Sequence, residues 1–197
     1  TIKLLAKIIC DKAMTERLYS NLYAKLISSL ENDNEGFYGL MGSVKDNCNL
    51  FFENNINSSL EEISSNTDDY ENICKILKDK SQFTGGFVFI ANLFKYNIID
   101  YDMVKQYYDS LVKYINFSSK DQIGRYLDAI ISIMDNCGKD LEDDNKDNFD
   151  SNYMYIIREL SLNKDKVQAK YRFRLLDIIE KYENGWEEVN NEGWQQV

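Results

Sequence analysis

Near the C-terminal end of the chain Lys166, Lys170 and Arg174 stand four residues apart, with Lys164 and Arg172 beside them and Arg158 upstream. Four-residue steps return to one face of a helix, so this spacing predicts a single basic ridge. Such a ridge is either a solvated face balanced by Asp165 and Asp177, or a docking patch for an acidic protein surface or for RNA phosphates. It is a local exception in an acidic protein. Lys and Arg number 23 against 33 Asp and Glu, a formal net charge of -10. That balance opposes sequence-independent attraction to nucleic acid.

Bond-making chemistry has little to draw on. The 197 residues include no histidine, which removes Ser-His-Asp and Cys-His nucleophilic machinery together with every imidazole metal ligand. Asp143, Asn145 and Asp147 alternate as calcium ligands do, but an EF-hand loop wants glycine at its sixth position and a bidentate glutamate at its twelfth. Asn148 and Met154 stand there instead. Gly85-Gly86 lacks the lysine and hydroxyl residue that complete a phosphate loop. Carboxylates are so numerous that spacing singles out no acid/base pair. Cys10, Cys48, Cys74 and Cys137 are scattered, without a C-x-x-C pair, and read as reduced thiols of an intracellular protein. No enzymatic activity, metal or cofactor is expected.

The triplets Asn57-Ser58-Ser59 and Asn116-Phe117-Ser118 match the glycosylation acceptor pattern, but no secretory segment precedes them. No apolar run approaches the roughly 18 residues that would span a bilayer. A cytoplasmic monomer without a membrane partner is the expectation, and a chain that begins at Thr1 fits a piece of something longer.

The elements that must position these residues are helices throughout. Ile2, Leu5, Ile8 and Ile9 recur at helical spacing, and Leu18, Leu22, Leu26 and Leu30 define the apolar face of a second helix capped by Thr15 or Ser20. After the polar stretch 31–36, Leu40, Val44, Cys48 and Phe51 restart the pattern, and residues 54–69 read as a surface loop with one turn at Leu60 to Ile63. Residues 70–97 form one or two linked helices in which Gly85-Gly86 marks a thin spot or a close helix contact. Phe83, Phe87 and Phe94 share a stripe there, while Val88 and Phe89 fall off it and are either a second buried face or an exposed contact. Phe87 and Phe89 are thus weaker candidates for touching a partner. Asp100 or Asp102 caps the next helix, and Ser118 with Asp121 resembles a weakened capping box before Ile123, Leu127, Ile130 and Met134. Two more helices follow, one carrying Tyr153, Ile157 and Leu160, the other Val167, Tyr171, Leu175, Ile178 and Tyr182. Turn signals about every 20 residues predict an all-α solenoid of antiparallel helix pairs over residues 1–183, followed by a polar tail over 184–197. In that tail Trp186 and Trp194 are either packed caps or partner anchors.

Several segments together resemble the middle domain of translation initiation factor 4G, the scaffold subunit of the cap-binding complex. Ile8-Ile9-Cys10-Asp11-Lys12-Ala13 resembles the family's I-F-x-K-A helix end, and Thr15-Glu16, Tyr19-Ser20 and Tyr23-Ala24 are similar to its E-P-x-[FY]-S-x-x-Y-A segment. Asn47-Cys48 with Phe52-Glu53 resembles N-R-C-x-x-E-F-E. Gly85-Gly86 followed by Phe89-Ile90-Ala91-Asn92-Leu93-Phe94-Lys95 is similar to G-x-I-x-F-I-G-x-L-F-K, and Gly138-Lys139-Asp140-Leu141 to G-K-x-L. Tyr171-Arg172-Phe173-Arg174-Leu175-Leu176-Asp177, closed by Trp186, looks like R-I-[RK]-F-x-L-x-D and a terminal Trp. The resemblance implies a HEAT-repeat scaffold that binds the DEAD-box RNA helicase initiation factor 4A and activates it by orienting its two RecA-like lobes. One lobe contact would fall on the face of Lys166, Lys170, Arg172 and Arg174. Related domains of splicing and nonsense-mediated decay factors dock on helicases as well, and some of these domains bind RNA directly. The family's first helix precedes Thr1, its basic R-R-x-x-G stretch is reduced here to Lys78, Lys80 and Ser81-Gln82, and Arg17 replaces its proline. With the net charge, these departures weigh against mRNA as a direct partner.

Overall fold

The computed structural model describes residues 1–56 and 70–187, with backbone alone for residues 70–73, 75 and 76. The helical turn expected at Leu60 to Ile63, the triplet at Asn57 and Trp194 lie outside the described residues, and helix continues to Ile56 where a loop is expected from residue 54. Among the described residues every regular element is a helix, and the fold is all-α. No helix of the described residues is long and apolar enough to cross a membrane. The chain divides into two compact units, Thr1–Cys137 and Gly138 onward.

The first unit holds α1 (Ile2–Thr15), α2 (Ser20–Asp33), α3 (Leu40–Ile56), α4 (Tyr70–Lys95), α5 (Tyr101–Phe117) and the first part of α6 (Gly124–Asp144). Its core is α4. From Phe83 to Phe94 every residue is buried, because α1, α2, α3 and α5 all pack against this helix. A helix apolar on all sides belongs inside. The two glycines permit the close approach: a Cβ at Gly85 would lie 2.0 Å from the carbonyl oxygen of Met14 in α1, and one at Gly86 would lie 2.2 Å from the Phe51 ring of α3. Around them Phe51, Phe83 and Phe87 contact one another at 5.1–6.3 Å between ring centroids, and Phe52 extends the cluster to Tyr107 of α5 at 4.7 Å. Phe87 and Phe89, read from sequence as candidates for a partner contact, are fully buried. They are core residues, since helices cover both faces of α4.

The apolar face assigned to the second helix is also corrected. α2 buries Ser20, Ala24 and Ile27, with the Ser20 hydroxyl accepting a 3.2 Å bond from the Asn92 amide of α4. Ser20 and Ala24 let α2 lie close against α4, and Ile27 packs inward beside them. Leu18, Leu22 and Leu26 face solvent.

Polar groups close the helix ends. Asp100 caps α5 by accepting from the Met103 N–H at 2.9 Å. The turn before α6 uses Ser119 and Gln122 in place of Ser118 and Asp121: the Gln122 side-chain oxygen accepts from the Ser119 N–H and hydroxyl at 3.3 and 3.0 Å. Glu31, near the end of α2, accepts from the N–H groups of Gly39 and Met41 and so satisfies the start of α3. The Arg125 guanidinium lies 3.9 Å above the Phe83 ring and donates to the Asn55 carbonyl at 3.0 Å, closing the far end of α3. Burial pushes its pKa down from the ordinary value, with Tyr126 and Asp79 opposing.

α6 continues through Cys137, whose φ of -139° and ψ of 17° kink it. Beyond this residue the second unit comprises the end of α6, α7 (Lys146–Phe149), a π-helical turn over Asp150–Met154, α8 (Tyr155–Leu162) and α9 (Ala169–Glu183). α8 and α9 pack together through Ile157 and Leu160 on one side and Tyr171, Leu175 and Ile178 on the other. Past α9 the chain turns back. Gly185 and Trp186 adopt φ of +68° and +63°, and the Trp186 N–H donates to the Lys181 carbonyl at 2.6 Å. A non-glycine residue there costs on the order of 1 kcal/mol, and the contacts of the indole offset it. The indole packs on Phe149 and Tyr182 at 6.0 Å each and donates from Nε1 to Glu142 at 2.7 Å. It covers Gly138 so closely that a Cβ there would lie 2.3 Å from Cη2. Trp186 is thus a packed cap.

Candidate functional site

The basic ridge read from sequence comes only partly together. Lys170 and Arg174 sit four residues apart on α9, both exposed. Lys166 precedes the helix, in a turn that its own N–H helps to close by donating to the Asn163 side chain at 3.0 Å. Arg172 is about half a turn around α9 from Lys170 and Arg174, partly covered, with its Nε buried and lacking a hydrogen-bond partner. The sequence spacing overlooked where the helix begins: residues 163–168 turn before α9 starts, so the four-residue register holds only from Lys170 on.

One residue that the basic pattern did not single out completes the face. Phe173 is 64% exposed and Leu176 43% exposed, on the side of α9 away from Tyr171, Leu175 and Ile178. Lys170 and Arg174 flank Phe173, and Asp177 and Glu180 follow one turn on. The Lys170 ammonium lies 4.7 Å from the Tyr171 ring centroid, which holds the side chain along the helix. The signal was present in the sequence: Phe173 is the large aromatic residue of this helix that falls off the stripe Val167, Tyr171, Leu175, Ile178 and Tyr182. An exposed aromatic residue ringed by charged groups is the anatomy of a protein contact, with an apolar anchor in the middle and a polar rim that sets orientation.

The shifted ionisations elsewhere serve packing. Tyr23 donates to Glu16 at 2.5 Å, and Lys12 donates to the same carboxylate at 3.0 Å. Tyr23 and Lys12 together hold Glu16 below the ordinary carboxylate value, and Glu16 in turn raises both partners. The trio ties the end of α1 to α2. Burial pushes the Tyr107 and Tyr108 phenols well up. Cys48 is raised by its hydrogen bond with Cys10 and by burial, and both thiols are inside. Among the described residues these groups hold helices together, and the α9 face offers an apolar anchor with charged neighbours.

The sequence profile of the MIF4G domain matches residues 1–184. The chain belongs to the MIF4G domain family. MIF4G domains occur in initiation factor 4G and in splicing and nonsense-mediated decay factors, and they are helical protein-interaction scaffolds, often binding helicases or RNA. The family is one of scaffolds and not of enzymes. This MIF4G domain is also similar to a von Willebrand factor A domain-containing protein of Dictyostelium discoideum, 27% identical over 192 residues. The match covers 96% of the chain and 9% of that protein, so the chain spans a small fraction of the relative.

Proposed function

We propose that this MIF4G domain is a cytoplasmic translation-initiation scaffold that binds and activates the DEAD-box helicase initiation factor 4A, with α9 carrying the contact for one RecA-like lobe. The observation that supports the reading is the pairing of exposed Phe173 with Lys170 and Arg174, on the segment that resembles the family's R-I-[RK]-F-x-L-x-D motif. Activation follows if the scaffold binds the productive arrangement of the lobes better than the open one, because only differential affinity shifts a population. Changing Phe173→Ala with Lys170→Glu and Arg174→Glu is expected to weaken binding to initiation factor 4A at least tenfold and to abolish stimulation of its RNA-dependent ATPase, with an unchanged melt. Unaltered binding by the folded triple variant would refute the placement. The family also occurs in splicing and nonsense-mediated decay factors, which supplies a second reading: the same face docks a helicase of splicing or decay and lowers its ATPase rate. Direct RNA binding would instead show as affinity that falls steeply with salt.

A further inference from the structure

Asn184 and Gly185 join α9 to the Trp186 cap, and they form the single Asn-Gly pair of the sequence. An asparagine before glycine is open to attack by its own backbone, because the glycine has no Cβ to keep its nitrogen away from the side-chain amide. In that reaction the Gly185 nitrogen bonds to Cγ of Asn184, the Cγ–Nδ2 bond breaks, and the Gly185 amide proton leaves with the amide as ammonia. Water then opens the cyclic imide at either carbonyl. The product is aspartate at position 184, or its isomer in which the main chain runs through Cβ.

Both residues are exposed, so water reaches them, yet the fold withholds the reaction. Asn184 has φ of -91° and ψ of 14°. At that ψ the Gly185 nitrogen is nearly eclipsed with the backbone nitrogen of Asn184, a tetrahedral step away from Cβ, and the imide ring cannot close. The Gly185 N–H is also engaged, donating to the Tyr182 carbonyl at 3.0 Å, while the Trp186 N–H donates to the Lys181 carbonyl at 2.6 Å. These two bonds make the reverse turn that ends α9. The indole holds the turn shut through Phe149, Tyr182 and Glu142. Ring closure therefore waits for a local opening in which the cap lifts.

The product acts back on the cap. A carboxylate at position 184 stands at the C-terminal end of α9, where the helix dipole already presents negative charge. The neighbouring sequence adds Glu180, Glu183, Glu187 and Glu188 against Lys181, and Glu142 lies under the indole. The isomer inserts one more backbone atom between α9 and Gly185, which throws the two turn-closing bonds out of register. We propose that Asn184-Gly185 is a self-modification site gated by the Trp186 cap, and that its conversion to aspartate or isoaspartate releases the cap irreversibly.

The test ages the 197-residue chain in mildly alkaline buffer at physiological temperature and follows residue 184 by peptide mass spectrometry. Isoaspartyl methyltransferase with labelled S-adenosylmethionine counts the isomer. Trp186→Leu, which loses the indole, should convert at least about fivefold faster than the parent, since the rate follows the population of the open form. Gly138→Ala, which crowds the indole from the other side, should convert faster as well, by less. The melting temperature of the parent should fall with the converted fraction toward that of Trp186→Leu. Asn184→Ser, which has no amide to lose, should keep its melt when aged alongside. Equal conversion rates in the parent and both cap variants would overturn the gating. Conversion that leaves the melt unchanged would overturn the release, and an Asn184 that stays intact in Trp186→Leu would overturn the site itself.

Discussion

Replacing Gly138 by alanine tests the clasp at the end of the second unit. In an ordinary helix interior the change would stabilise by roughly 0.5–1 kcal/mol, through reduced backbone entropy in the unfolded chain. Here the new Cβ would lie 2.3 Å from Cη2 and 2.6 Å from Cζ3 of Trp186, too close for either atom to stay. The indole cannot move freely, since it is wedged against Phe149 and Tyr182 and held by its bond to Glu142. Displacing it forfeits two edge-to-face ring contacts at about 0.5–1.5 kcal/mol each and a bond to a half-exposed carboxylate at about 1 kcal/mol. It also leaves Trp186 at φ +63° without the contacts that offset the strain. Against the helix-propensity gain, the expected net destabilisation is about 1–3.5 kcal/mol, which for a domain of this size lowers the melting temperature by about 2–14 °C. Scanning calorimetry on Gly138→Ala, Trp186→Leu and the double variant completes a cycle. In the Trp186→Leu background the space is open, and the alanine should raise the melting temperature. A single Gly138→Ala variant that melts above the parent would refute the clasp.

Gly85→Ala should be more severe, because its Cβ would meet backbone at 2.0 Å and not a side chain; equilibrium denaturation should show a loss of at least about 3 kcal/mol, and a loss below about 1 kcal/mol would contradict the packing of α1 on α4. Tyr107 and Tyr108 should stay neutral past the ordinary phenol value of 10.0. The stability that their neutral forms contribute is complete below that value and is lost as pH climbs toward the raised folded values. An absorbance titration at alkaline pH should therefore show these two phenols ionising only with unfolding, and reversible ionisation near pH 10 in the folded chain would contradict the burial. Glu16, held low by Tyr23 and Lys12, should keep its charge as pH falls below the ordinary carboxylate value and lose it, with the tie between α1 and α2, only through its lowered pKa. Nuclear magnetic resonance should place its midpoint below the ordinary carboxylate value, and Tyr23→Phe should move it back up.

Much of the helix pattern was legible in the chain, because apolar periodicity reports which face must leave water. The stripe Leu40, Val44, Cys48 and Phe51 is buried along α3 as read, and Val167, Tyr171, Leu175 and Ile178 are buried as read. Gly85-Gly86 marked either a thin spot or a close helix contact, and the structure has the contact. The reading of α2 failed because size misled it: four leucines outweighed Ser20, Ala24 and Ile27, though close packing on α4 favours the small residues Ser20 and Ala24. Phe89 was ambiguous for a related reason, since periodicity marks one face and α4 is covered on every side. The candidate site suffered from register. Counting in fours from Lys166 presumed a helix that begins only at Ala169, and charge alone gave no cause to notice Phe173.

The glycine pair of α4 bears on modularity. In a row of helix pairs each repeat ordinarily leans only on its neighbours. Here the carbonyl of Met14 fills the notch at Gly85, and Phe51 fills the one at Gly86. Cutting away α1 would therefore uncover the backbone of the central helix at Gly85. α1 is a keystone of the first unit, and its removal should be felt throughout that unit.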